Sequence, residues 1–439
     1  METTSARGLN YSTVEPAVAS ALDDFTDRLL HVDPGAERIL TMVQDFPHEA
    51  GLRVAAAFFF LFGQTPDAQR EADDHLAEAR RHLSRLNARE RAWVRGLELW
   101  QQKAFDAAAT AFEEITRGWP QDLLGLRAAE FLYYVLGQQY SGPRFIAHTE
   151  RMAPLHGDDS DFLAIHAFAN ELCGHMHAAR THADRALALR AGNPWAQHAL
   201  AHVLLWEGNT DSAAKLMDGW LAQWPLVARA VHCHNAWHVA VMHLDRLEND
   251  RAYAVYDAHV WGKTPEYVVE QLDAIAFLWR AEMAGVAVDA ARWHSILPYI
   301  RPVCTTLFMP FATAHYAYAL ARGGDTATVA ALLAATQARA ADDDAEAVQV
   351  WQPVGRHVVN AAAALGAGDA HAATASFDAA MPAITRIGGS DAQDDLFRFA
   401  YIDSLKRADR RADAAAFLNE RLARKRASPL ETQLLAALN

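Results

Sequence analysis

Four histidines fall in VHCHNAWHVAVMH at residues 231–243, and two of them, His234 and His238, are four apart. Just upstream, PWAQHALAH sets His198 and His202 at the same spacing. Residues four apart on a helix share one face, so each pair presents two imidazoles side by side. Two such pairs on neighbouring helices can direct four imidazoles at one point. That donor set suits Zn2+ or another borderline divalent metal. It equally suits proton transfer without a metal, because imidazole titrates nearest to neutral pH. In the acid–base reading His198 or His238 is the general base, while His202 and His234 orient substrate or share the metal. Asn235 can orient a ring or donate to an oxyanion. Trp195, Trp206, Trp237 and Trp261 can supply aromatic walls.

A plainer reading stands beside this one. The chain has 21 histidines, so some close pairs arise by chance. An imidazole on a packed helix also serves as a core residue bonded to a carbonyl or carboxylate. HALAH lacks the glutamate of the zinc-protease His-Glu-x-x-His pattern. Cys233 neighbours two histidines, but adjacent helical residues point about 100° apart, which argues against a Cys–His dyad. His232 and His243 lie off the chosen face and read as packing or surface residues. No serine sits in a strand–turn–helix context. There is no G-x-G-x-x-G and no Walker A, hence no sign of a nucleotide or redox cofactor.

The elements that would position these groups are helices. Alanine is abundant, and Ala, Leu, Glu, Arg and Gln runs favour helix. Pro120, Pro154, Pro194 and Pro225 are spaced 34, 40 and 31 residues apart, around the 34-residue period of tetratricopeptide helix–turn–helix repeats. Gly137, Gly174 and Gly208 end the first helix of their units, where positive φ is needed. Ala178, Ala179, Ala213 and Ala214 let the second helix approach the first. Each proline is expected to open a helix, most clearly in GNPWAQ, with Asn193 as N-cap and Pro194 first in the helix. Further helices are predicted over about 226–247, after Pro265 to Gly285, and from Pro310 to Arg322. From Asp391 the chain reads as two helices broken near Asp409. The predicted fold is one all-α right-handed superhelix of tetratricopeptide-like helix–turn–helix repeats. It comprises N-terminal capping helices over 1–90, regular repeats over 91–225, divergent repeats over 226–386 and C-terminal capping helices over 387–439. Residues 342–346 and 387–395 read as the exposed breaks.

Composition bounds the partners. The formal net charge is −14, which argues against a nucleic-acid backbone. Arg421, Arg424, Lys425 and Arg426 read as a solvated helix end. Three scattered cysteines point to a reducing compartment and a cytoplasmic protein. The most apolar stretch, VAAAFFFLFG, is too short to span a bilayer, and the first residues carry no apolar signal core. A homo-oligomer is compatible with all of this.

Several blocks carry a resemblance: HALAHVLLWEG, CHNAWHVAVMHLD, YDAHV, MAGV, RWHSILP, TAHYAYA and RIGGSDAQDDLF. Their order over about residues 90–430 is similar to the tetratricopeptide repeat protein 38 family. The resemblance implies a helical-repeat fold and a shared polar cluster, with no settled reaction. The matching positions are His198 and His202, then His234, Asn235, Trp237 and His238. Tyr256, Asp257 and His259 match YDAH. Asp273 and Arg280 match the following helix, and His315 matches TAHYAYA. Gly388, Gly389, Ser390, Ala392 and Gln393 match the Gly-Gly-Ser block. This chain departs from the pattern at Leu205, where the family often has glutamate, and at Asp394, where it has arginine. Asp257, Asp273 and Arg280 equally read as a buried polar network. The Gly-Gly-Ser block reads either as an anion-holding nest or as a helix stop followed by an N-cap.

Two functions follow. In the first, a central pocket lined by His198, His202, His234, Asn235, His238 and His315 binds a small molecule. Imidazole-assisted hydrolysis, elimination or isomerisation follows, with a divalent metal such as Zn2+ as the open cofactor question. In the second, the protein is a non-catalytic scaffold holding a peptide or protein in a concave groove. Clustering of histidines and aromatics mid-chain favours the first.

Overall fold

The computed structural model describes residues 2–224 and 227–438. Pro225, expected to close a repeat, and Leu226, expected to open a helix, lie outside them. The chain is all-α and built of helix–turn–helix pairs, with 23 α-helices among the described residues. Its one small addition is an antiparallel ladder of Thr3–Thr4 on Asn10–Tyr11. No helix among the described residues is long and apolar enough to cross a membrane. The chain divides into two compact units, residues 1–136, 141–199 and 226–228 against 137–140, 200–225 and 229–439.

In the first unit, Ala50–Leu61 pairs with Pro66–Arg81, Ala88–Gln101 with Phe105–Gly118, and Ser160–Leu172 with Met176–Leu189. Small residues set the approach. A Cβ on Gly96 would sit 3.1 Å from the Phe112 ring, and Phe112 packs edge-on against Trp93 with centroids 4.9 Å apart. Such aromatic pairs add to the burial energy of the rings. Asp122 accepts from Arg89 at 3.0 Å, from the Trp93 indole at 2.8 Å and from the Gly125 amide at 3.0 Å. A buried carboxylate is tolerated when its oxygens are satisfied in this way. Asn193 caps the Pro194–Trp206 helix as predicted, accepting from the amides of Trp195 and Ala196. Pro154, however, opens no helix. It lies in the last turn of Gln138–His156, since the helix runs through a spacing that reads as a boundary in sequence.

The second unit contains Arg229–Asp245, Val268–Met283 and Pro310–Arg322, whose central turns are buried on every side. A helix without a wet face must satisfy its polar side chains internally, which is why its histidines and carboxylates matter. The predicted Pro310–Arg322 bounds match the observed ones. YDAHV forms a turn of π-helix, Tyr256–Val260, after Asn249–Val255. The C-terminal region holds three helices rather than two: Asp391–Arg407, Arg411–Leu422 and Pro429–Leu438. Two further expectations fail here. Residues 387–390 are buried, not exposed. The Gly389 carbonyl accepts from the Gln138 amide at 2.9 Å, and a Cβ on Gly389 would meet Phe311 at 3.0 Å. Arg421 and Lys425 are not a solvated helix end. Arg421 holds Asp395 at 2.5 and 2.6 Å and Glu431 at 3.0 Å, and Lys425 holds Glu431 at 2.9 Å.

Candidate functional site

Three of the four paired histidines belong to the second unit. His202 comes from the later part of Pro194–Trp206, and His234 and His238 from Arg229–Asp245. The Nε2 atoms of His202 and His238 are 3.3 Å apart. Nδ1 of His202 lies 3.3 Å from an Asp391 carboxylate oxygen. An ionised carboxylate only accepts, so beside an ionised Asp391 the His202 proton sits on Nδ1 and His238 is the donor across the Nε2 pair. His238, His202 and Asp391 thus stand in a row. Both rings are almost wholly buried, 2% and 3% exposed for His238 and His202.

His234 is held by the opposite carboxylate. Its Nδ1 lies 3.1 and 3.2 Å from the two oxygens of Asp273. Burial pushes the Asp273 carboxyl up and the His234 ring pulls it back down. The His234 ring stacks on Trp237 at 5.5 Å, and His238 meets both, at 4.8 Å from His234 and 4.7 Å from Trp237. The His202 and His238 centroids are 4.7 Å apart. Cys233 also reaches Asp273, with Sγ 3.8 Å from Oδ2. Burial pushes its thiol well above the ordinary range, so it is no nucleophile at neutral pH.

Arg280 lies above Trp237, its Cζ 5.7 Å from the ring, and donates Nη2–H to the Ala392 carbonyl at 2.7 Å. It thereby ties Val268–Met283 to the first turn of Asp391–Arg407, the turn that carries Asp391. Ser390 caps that turn in a reciprocal capping box with Gln393, so the Gly-Gly-Ser block is a helix stop and N-cap. The indole N–H of Trp237 is buried without a hydrogen-bond partner among the described residues.

His198 belongs to the first unit, where its ring stacks on Trp195 at 4.7 Å and meets Phe168 at 5.1 Å. Asn235 is buried beside His234, and Trp206 is half-buried. Tyr256 is buried, its ring stacked on Phe277 at 4.9 Å. Asp257 is exposed and pairs with Arg292 at 3.0 Å, so it is not part of a buried network with Asp273 and Arg280. His259 pairs with His232, Nδ1 to Nε2 at 3.2 Å. His232 is thus partnered rather than plain surface, and His243 is buried between Asp218 and Glu248. Trp261 donates its indole N–H to Ser295. His315 is fully buried and donates Nδ1–H to the Phe311 carbonyl at 2.8 Å. Burial lowers its pKa to about 4.

Two acidic residues were not among the expected site groups. Asp391 backs His202, and nothing in local spacing connects it to HALAH. Asp394, one turn on, is fully buried with neither oxygen hydrogen-bonded among the described residues. Burial pushes it well above the usual carboxylate range.

No family model matches this chain. Among solved structures, it is similar to a monomeric mutant of IFIT1 with Gppp-AAAA, at 13% identity and a TM-score of 0.42, covering 96% of this chain and 90% of that one. It is similar to the human IFIT1 dimer with m7Gppp-AAAA at 14% identity and a TM-score of 0.41, covering 95% and 90%. It is also similar to Naa15/Naa10 bound to HypK-THB at 14% identity and a TM-score of 0.25, covering 96% and 66%. Likeness at this level says nothing of what this chain binds.

Proposed function

We propose that this protein binds and transforms a small molecule by imidazole-assisted acid–base chemistry, as a hydrolysis, elimination or isomerisation, at the histidine cluster of its second unit. The observation that carries the reading is the relay from His238 through His202 to Asp391. A proton taken by His238 can pass through Nε2 to His202, while Asp391 stabilises the imidazolium that forms and holds its tautomer. His238 is the base we assign in preference to His198, whose ring is occupied in stacking on Trp195. His234, fixed by Asp273, and Arg280 beside Trp237 are the assigned substrate-positioning groups. We also place the chain with the tetratricopeptide repeat protein 38 family, on the co-linear blocks alone, and in the cytoplasm, on its three free cysteines.

Helix–turn–helix pairs also support a second reading, a non-catalytic scaffold for a peptide. A thermal-shift screen of metabolites separates the two, because a ligand of the native state raises the melting temperature. The expected result is a stabilising compound whose effect is lost in both His238→Gln and His202→Gln, with both variants folded. If no compound shifts the wild type, or the shift survives both substitutions, the acid–base reading falls.

A further inference from the structure

We infer that the small molecule taken by this protein carries a carboxylate, and that the Arg280 guanidinium and the Trp237 indole N–H hold it beside His238. The inference rests on the preceding reading for the chemistry but not for the anchor. Arg280 lies in the last turn of Val268–Met283 and is 8% exposed. A guanidinium stays charged and carries five N–H donors. Among the described residues Arg280 donates only to the Ala392 carbonyl, from Nη2 at 2.7 Å, and its Nε is buried without an acceptor. It makes no ion pair among them either. Asp395 and Asp245 act on its charge from farther away, and Asp395 is engaged by Arg421. The C-terminal end of its own helix offsets part of the charge but gives Nε no acceptor. Arg89, comparably buried, holds Asp122 at 3.0 Å. A buried cation without such a partner is costly, and an anion in contact with it removes the cost.

The second observation is independent. Trp237 is 1% exposed, and its indole N–H has no acceptor among the described residues. The Arg280 Cζ stands 5.7 Å from that ring, so two buried donors without acceptors sit on side chains in contact. A buried donor left unmade is destabilising. A carboxylate supplies two acceptor oxygens and one negative charge, which matches two donors and one cation. A neutral carbonyl leaves the charge uncompensated. A phosphate dianion adds a second negative charge to a cluster that already holds Asp273 and Asp391. The anchor is also placed for the chemistry. The His238 ring is 4.7 Å from Trp237, so the atoms next to an anchored carboxylate lie beside the assigned base. His234, stacked on the same indole, keeps 13% of its side chain exposed, and is the edge of the cluster open to solvent.

The test uses the full-length chain, isotope-labelled at its tryptophan nitrogens. The probes are acetate and propionate, compared with acetamide, propionamide and inorganic phosphate at one ionic strength. Trp237→Phe, which keeps the ring stacking, assigns the Trp237 indole signal by its loss. The expected result is a saturable downfield movement of that signal with the carboxylates and none with the amides. Arg280→Met and Trp237→Phe should each weaken acetate binding about 10- to 100-fold, the range for a hydrogen bond to a charged group, read from the line broadening of carbon-labelled acetate. No saturable response to either carboxylate, an equal response to the amides, tighter binding of phosphate, or binding undiminished in both variants would overturn the anchor and leave the two donors to water only. If Arg280→Met does not fold, Trp237→Phe and the comparison with the amides decide. Acetate binding that needs Arg280 and Trp237 stands even if the metabolite effect survives His238→Gln and His202→Gln. A stabilising metabolite that needs His238 but carries no carboxylate sinks the anchor and spares the base.

Discussion

At the scale of residues, burial decides what each imidazole does. His315 is enclosed by Phe311, Trp279 and Phe397 and titrates near pH 4. His148 is held by Thr116 and Tyr133 and is pushed by burial to about 3. An unfolded imidazole takes its proton near pH 6.5. Between that pH and about 4 the unfolded chain therefore binds more protons, and stability falls as pH drops through the window. We predict that His315→Leu flattens this dependence by roughly 2–3 kcal/mol between pH 7 and pH 4, following from the shift in pKa. Urea unfolding at both pH values measures it, and an unchanged slope would count against the buried neutral ring. The histidine pairs themselves were legible in sequence, because four-residue spacing on a helix is a local property. Which rings would meet was not: His202 and His238 are 36 positions apart, and His234 and Asp273 are 39. Asp391 had no local mark at all beyond its place after a cap.

At the scale of elements, the C-terminal helices are joined by charge as well as by apolar contact. Arg421 on Arg411–Leu422 reaches Asp395 on Asp391–Arg407 and Glu431 on Pro429–Leu438. The Arg421 guanidinium and its neighbours hold Asp395 far below the ordinary carboxylate range, despite its burial. Replacing Arg421 by methionine keeps the apolar stem but takes a shared cation from two carboxylates, leaving Asp395 to Arg398 and Glu431 to Lys425. Breaking one side of a buried pair costs about 3–5 kcal/mol, and the partial exposure of Arg421 and Asp395, 16% and 22%, lowers the expectation to about 2–3 kcal/mol. Denaturant unfolding of Arg421→Met checks this, and a loss below about 0.5 kcal/mol, the range of surface substitutions, would mean a solvated pair. In sequence this arginine sits in a basic run, where solvation is the usual reading. Only the docking of Pro429–Leu438 brings Glu431 to it.

At the scale of the whole molecule, charge is the property that composition already determines. With a formal net charge of −14, the protein lacks the excess of cations that phosphate backbones require. We predict no saturable binding of a capped or uncapped oligoribonucleotide at physiological salt by fluorescence anisotropy. Saturable binding under those conditions would demand a local basic site that the net charge conceals. The all-α class was equally legible, through helix-forming composition, small residues at pair contacts and glycines where helices end. Pro154 shows the limit of that reading, since a proline in a helix's last turn and one at a helix start look alike in sequence.

The amino-acid sequence by itself determined the helical pairs, the acidic balance and the two four-residue histidine spacings, because each follows from neighbours along the chain. Only the tertiary structure decided that His238 meets both His202 and His234, and that Asp391 backs His202 while Asp273 backs His234. Those outcomes depend on how distant helices pack, and no local period encodes that packing.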